Sequence, residues 1–120
     1  MRILETLGAQ GEIRMFRVDQ VPAGARPVKK ERGATHYVIG HSESGHHHVL
    51  VADGAKLFQD ANAPEGMRIL YAILKSPGQL KHLRDFDTHA PHVFEAGDVI
   101  MFRCDRELDP FGGRARGIFD

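Results

Sequence analysis

Six of the eight histidines in this 120-residue chain fall into two short clusters. The first is His41, His46, His47 and His48, within Gly40-His41-Ser42-Glu43-Ser44-Gly45-His46-His47-His48-Val49-Leu50-Val51. The second is His89 and His92, within Thr88-His89-Ala90-Pro91-His92-Val93, and His82 lies just upstream of it. Neutral imidazole is a common ligand of divalent metals, and histidine is the side chain that titrates nearest neutrality. Histidines gathered beside a tight turn therefore imply a metal site or an acid–base site. Three of them with a carboxylate or a water suit zinc, iron(II), manganese or nickel. Glu43 and Asp53 are carboxylates within reach in sequence. No thiolate lies near the cluster, which excludes a cysteine-type structural zinc site.

The elements that must hold these residues are strands. Glu12 to Val18 alternates apolar and polar residues. Residues 35–41 and 46–52 flank a four-residue segment, Ser42 to Gly45, and Gly45 can turn left-handed; this is a β-hairpin signal. Turns follow at Ala52-Asp53-Gly54-Ala55 and between Asn62 and Gly66. Met67 to Leu74 is apolar on both parities, which predicts a buried central strand. Ser76-Pro77-Gly78 turns into Gln79 to Leu83, and Glu95-Ala96-Gly97-Asp98 turns into Val99 to Cys104. Asp109 to Gly113 reads as a loop before a short edge element ending at Phe119. Residues 22–35, with Gly24, Pro27 and Gly33, read as a flexible loop carrying Arg26, Lys29, Lys30 and Arg32. No helix of more than about two turns is indicated, and many short strands at close spacing predict an all-β fold. We expect one domain over residues 1–120, a small antiparallel β-barrel or sandwich.

The hairpin decides which histidines can meet. With Ser42 to Gly45 as the loop, His41 pairs with His46 and Ile39 with His48. Directly paired residues share a face, as do residues two apart on one strand. His41, His46 and His48 then share a face with Tyr37 and Leu50, while His47 points the other way. A one-residue slip would exchange them. His89, His92 or His82 would complete the ligand set from elsewhere. The alternative is a polar turn whose histidines lie in solvent or in an interface. His36 and His82, being isolated, also read as surface or hydrogen-bonded histidines.

Composition bounds the partners. Sixteen basic residues balance sixteen acidic ones, so there is no global pull toward nucleic acid or anionic membrane. The basic segment Arg26 to Arg32 is the one place where phosphate or RNA could touch, and it lacks interleaved aromatics. Near-zero net charge favours self-association, so a homo-oligomer or a protein partner is expected. Cys104 is the single cysteine, which rules out an internal disulfide and reads as a small buried hydrophobe. Met1 to Thr6 lacks the apolar stretch of a signal peptide, and no run approaches the roughly 20 apolar residues of a membrane span. A cytoplasmic protein, of a bacterial or a phage-infected cell, is expected.

Gly40, five residues, His46, one residue and His48 resemble the opening of the first cupin motif. The resemblance implies a small β-barrel in which those histidines, a carboxylate near Asp53 and a later histidine hold a metal. Cupins usually place glutamate at that carboxylate position. The second cupin motif is not clearly present; Pro91 to Asp98 has its ingredients in another order. A longer pattern is similar to a group of small uncharacterised proteins of bacteria and their phages. It consists of a His-Ser-Glu-[Ser/Thr]-Gly-His-His-His segment (His41–His48), a histidine segment ending in proline (His82 to Pro91), a Gly-Asp strand start (Gly97–Phe102) and Arg106–Pro110. It spans roughly residues 36 to 120 and implies a shared fold and site, with no reaction attached. Arg103-Cys104-Asp105-Arg106 departs from the more glutamine-rich strand end of that pattern.

Two classes of function follow. In the first, the chain binds a divalent transition metal through His41, His46 and His48, completed by His89 or His92. If the site is catalytic, on a small molecule or nucleotide, the ion acts as a Lewis acid or activates a water, with Glu43 or His82 as proton shuttle. In the second, it is a non-enzymatic structural or adaptor module, such as a virion component or accessory subunit, with its histidines at an interface.

Overall fold

Alternating apolar residues become two antiparallel sheets packed face to face. The computed structural model describes residues 1–30, 36–40, 47–82, 91–104, 107–108 and 115–116. In chain order the strands are β1 (Ile3–Gln10), β2 (Ile13–Val18), β3 (Ala25–Val28), β4 (Tyr37–Gly40), β5 (His48–Ala52), β6 (Lys56–Asp60), β7 (Arg68–Ile73), β8 (Gly78–His82), β9 (His92–Phe94) and β10 (Val99–Cys104), followed by β11 (Glu107–Leu108) and β12 (Ala115–Arg116). One sheet has the order β1-β2-β10-β7-β6-β3 and the other β4-β5-β8-β9; β11 and β12 form a separate short ladder. The all-β expectation holds, as a two-sheet sandwich. No helix among the described residues is long and apolar enough to cross a membrane.

The core is the space between the inner faces. Ile13, Met15, Leu57, Leu70, Ala72, Ile100 and Phe102 enter it from the larger sheet, and Ile39, Leu50, Leu80 and Phe94 from the smaller. Phe94 and Phe102 join the two sheets edge to face, with ring centroids 5.8 Å apart and planes at 79°, a favoured aromatic geometry. β7 and β10 are buried on both sides because a second cluster, Phe16, Val18, Tyr71 and Met101, lies on the outer face of the larger sheet. Val21, Ala25 and Phe58 pack against that cluster. Burial pushes the Tyr71 phenol above its usual range; the Asp60 charge adds to this and Arg103 opposes it.

Two strands depart from the sequence expectation. β1 is an edge strand with Ile3 and Leu4 exposed, so it carries no clean apolar alternation to read. It forms because Gly11 and Glu12 make a two-residue connection to β2, with Gln10 opposite Ile13 and Gly11 at φ +57°. That left-handed angle suits glycine. β3 lies inside the segment expected to be a loop, paired with β6 so that Pro27 sits opposite Phe58. Proline lacks a donor but is tolerated here because β3 is at the sheet edge. Residues 31–35 of that segment lie outside the described residues.

The chain start is tied down at the far end of β1. The Asp19 amide donates to the Arg2 carbonyl at 3.0 Å, and the Arg2 amide donates to Asp19 Oδ1 at 2.5 Å. The Arg2 hydrogen bond holds the Asp19 carboxyl below its usual value. A carboxyl lowered on folding contributes stability above its unfolded pKa of about 3.9, and that stability is lost as pH falls through the folded value. Asp19→Ala is therefore expected to lower Tm at pH 7. Thermal melts between pH 2 and 7 should show the gap to wild type closing as pH drops below about 4.

Candidate metal centre

Strand pairing, more than sequence proximity, decides which histidines meet. In the β5–β8 ladder His48 lies opposite His82 and Leu50 opposite Leu80; in the β8–β9 ladder Leu80 lies opposite His92. Leu50 and Leu80 are fully buried in the core. Paired positions share a face, and so do positions two apart. His48 and His92, one from each sequence cluster, are therefore on the core-facing side of the smaller sheet, and position 82 is on the same row as His48. β5 and β9 are two strand spacings apart, roughly 10 Å. His92 is also two residues out of the His48 row, so the two Cα positions are roughly 12 Å apart.

His41, His46, His89 and Glu43 lie outside the described residues, and His82 is described through its ladder position. The expected hairpin register holds at Tyr37, opposite Leu50, and at Val38, opposite Val49. It then slips by one: Gly40, and not Ile39, lies opposite His48. The bulge leaves Ile39 fully buried. It also brings Gly40 against β2, where a Cβ would stand 2.8 Å from Ile13 Cδ1 and would have to displace the end of that side chain. Asp53 is a second correction. It is exposed in the turn after β5, five residues from His48 and so roughly 17 Å along an extended strand. It does not supply the carboxylate of this site.

β1 forms the opposite wall, and sequence reasoning missed all of its contribution. Gly8 lies opposite Met15 and Gln10 opposite Ile13, which puts both on the inner face. Gln10 Oε1 is 2.6 Å from His48 Nδ1, and Gln10 Nε2 donates to the Leu80 carbonyl at 3.1 Å. Gly8, at φ +140° on a bulge, faces the His92 ring: a Cβ there would be 2.8 Å from His92 Nε2. A Cβ on Gly11 would be 3.2 Å from His48 Nε2. Gly8-Ala9-Gln10-Gly11-Glu12, placed just before an alternating strand, was the available signal for a hairpin at this point.

The polar groups at the site are imidazoles, a carboxamide and a backbone carbonyl. His92 Nδ1 is buried with no hydrogen-bond partner among the described residues. Such an orphaned polar atom costs about 1–3 kcal/mol unless something satisfies it. Nearby, the Cys104 thiol donates to the Ile39 carbonyl at 3.4 Å, and Arg68 Nη1 donates to the same oxygen at 3.4 Å. Cys104 is buried and serves as a packing residue. The described residues contain no group of three histidine, cysteine or acidic side chains arranged to hold an ion. His48 and His92 would be two ligands of a larger set. On the basic segment, Lys30 Nζ sits 5.1 Å from the Tyr37 ring centroid, a cation–π contact within the protein.

Fold and site together define a small antiparallel β-sandwich with imidazoles at one end of its core. The chain belongs to the family described as Domain of unknown function (DUF8820), whose model matches residues 9–105. That span runs from the end of β1 to the end of β10 and takes in both histidine clusters. No curated protein and no solved structure matches the chain.

The glycine wall has a direct consequence. Gly8→Ala combines an unfavourable backbone angle with a collision against His92, and should cost about 1–3 kcal/mol. Gly24 has nothing within 4 Å of the position a Cβ would take, so Gly24→Ala should stay within about 0.5 kcal/mol of wild type. Urea denaturation of both variants checks the contrast.

Proposed function

We propose that the protein binds a divalent transition metal, zinc, iron, manganese or nickel, at the histidine end of the sandwich. The observation that carries this reading is the placement of His48 and His92 on one inner face, with a buried, unsatisfied nitrogen on His92. A bound cation would satisfy that nitrogen without bringing another polar group into the core. His41, His46 and His89 are the remaining candidate ligands. The resemblance of residues 40–48 to the first cupin motif points to the same chemistry, although Asp53 departs from it. Bound there, the ion would supply Lewis acidity or an activated water for a reaction on a small molecule, with Glu43 or His82 moving the proton.

Metal content by plasma mass spectrometry tests the proposal, on tag-free protein purified without chelator. About one equivalent per chain is expected for wild type, and loss of it in the His48→Ala/His92→Ala double variant. The double variant should keep its β-sheet circular dichroism. Absence of metal in wild type, with none taken up on titration, overturns the proposal. The histidines would then belong to an interface, and the protein would be a structural or adaptor module.

A further inference from the structure

We infer that Gln10 is a positioning residue: it selects the tautomer of His48 that carries its proton on Nδ1 and presents the Nε2 lone pair. The inference concerns the same site as the metal proposal, but its first test needs no metal. It starts from the Leu80 carbonyl, which can only accept a hydrogen bond. The Gln10 amide atom 3.1 Å from it must therefore be the NH2 group. The opposite assignment would set two acceptor oxygens against each other. With the amide fixed this way, the atom 2.6 Å from His48 Nδ1 is the carboxamide oxygen, also an acceptor. The proton between them must come from the imidazole. A neutral His48 then bears Nδ1–H and leaves Nε2 as its basic nitrogen.

The chain Leu80 O, Gln10, His48 thus runs from the backbone of β8 through β1 to β5. A histidine that ligates a metal commonly gives its other N–H to such a partner, which fixes both tautomer and ring orientation. Free imidazole prefers the opposite tautomer, so an oriented acceptor is needed to hold this one. A single hydrogen bond shifts such a two-state ratio by roughly 10-fold. Gly11 belongs to the same device. Lacking a Cβ, it lets the Nε2 edge of His48 lie against the β1–β2 turn, where a Cβ would be 3.2 Å away.

The experiment is a two-bond 1H–15N correlation spectrum of the histidine rings, on metal-free protein at pH 8.5, where imidazoles are neutral. For His48, a pyrrole-type Nδ1 and a pyridine-type Nε2 are expected. Gln10→Leu, which keeps the bulk and removes the acceptor, should move His48 toward the Nε2–H form. Gln10→Glu keeps an acceptor oxygen for Nδ1–H but sets its other oxygen against the Leu80 carbonyl, so it should restore Nδ1–H only in part. A merely structural role for Gln10 would not follow this order. Zinc titration of the same three proteins should show roughly 10–100-fold weaker binding for Gln10→Leu alone. A wild-type His48 with its proton on Nε2, or one indifferent to Gln10→Leu, overturns the inference even if zinc binds. The predicted tautomer in a protein that takes up no zinc upholds Gln10 and removes the metal proposal instead.

Discussion

The period of two in a β-ladder ties the site of this protein to its core. Leu50 and Leu80 face each other across β5 and β8 and are fully buried between the sheets. Once they point inward, ladder geometry requires positions 48 and 92 to point to the same side. The hydrophobic effect therefore orients the imidazoles indirectly. Burying the leucines is worth about 1.5–3 kcal/mol each, enough to hold the half-buried His48 and His92 on the inner side at one end of the sandwich. A slip of one residue in either ladder would expose the leucines and turn the histidines out together.

Partial burial of polar rings creates a second problem, which β1 addresses. A half-buried imidazole at the edge of a core needs partners or room. Gln10 gives His48 a partner, and its own amide is satisfied by the Leu80 carbonyl. Gly8 and Gly11 give room by leaving out a Cβ where the rings approach. β1 is thus an edge strand whose outer face is ordinary and whose inner face is shaped around the histidines. Its bulge between Thr6 and Gly8 fits this role, since bulges re-aim side chains and favour positions next to functional sites. His92 Nδ1 is left unsatisfied among the described residues, a cost that a packed core does not normally carry.

Much of the fold was legible in local pattern. β2 announces itself by alternation and β7 and β10 as apolar runs, and the turns at Gly54 and Gly97 follow from glycine in left-handed conformations, φ +70° and +89°. The hairpin of β4 and β5 was legible in register up to Val38. It failed at Ile39, where a bulge shifts the pairing. β1 and β3 were hidden because edge strands bury only part of one face, so their sequences need not alternate. Proline in β3 and glycine in β1 even argue locally for loops.

The residue types alone determined an all-β chain with two histidine clusters, no disulfide and no net charge, because composition and short-range periodicity are properties of neighbours in sequence. Only the tertiary structure decided that His48 and His92 share one inner face, that Asp53 lies well along the strand from His48, and that Gln10, Gly8 and Gly11 lie against these two rings. Those relations depend on strand order, with β5 beside β8 and β8 beside β9, and on one sheet closing over the other. Strand order follows from the burial of the whole set of apolar faces at once. No segment of the chain contains that information by itself.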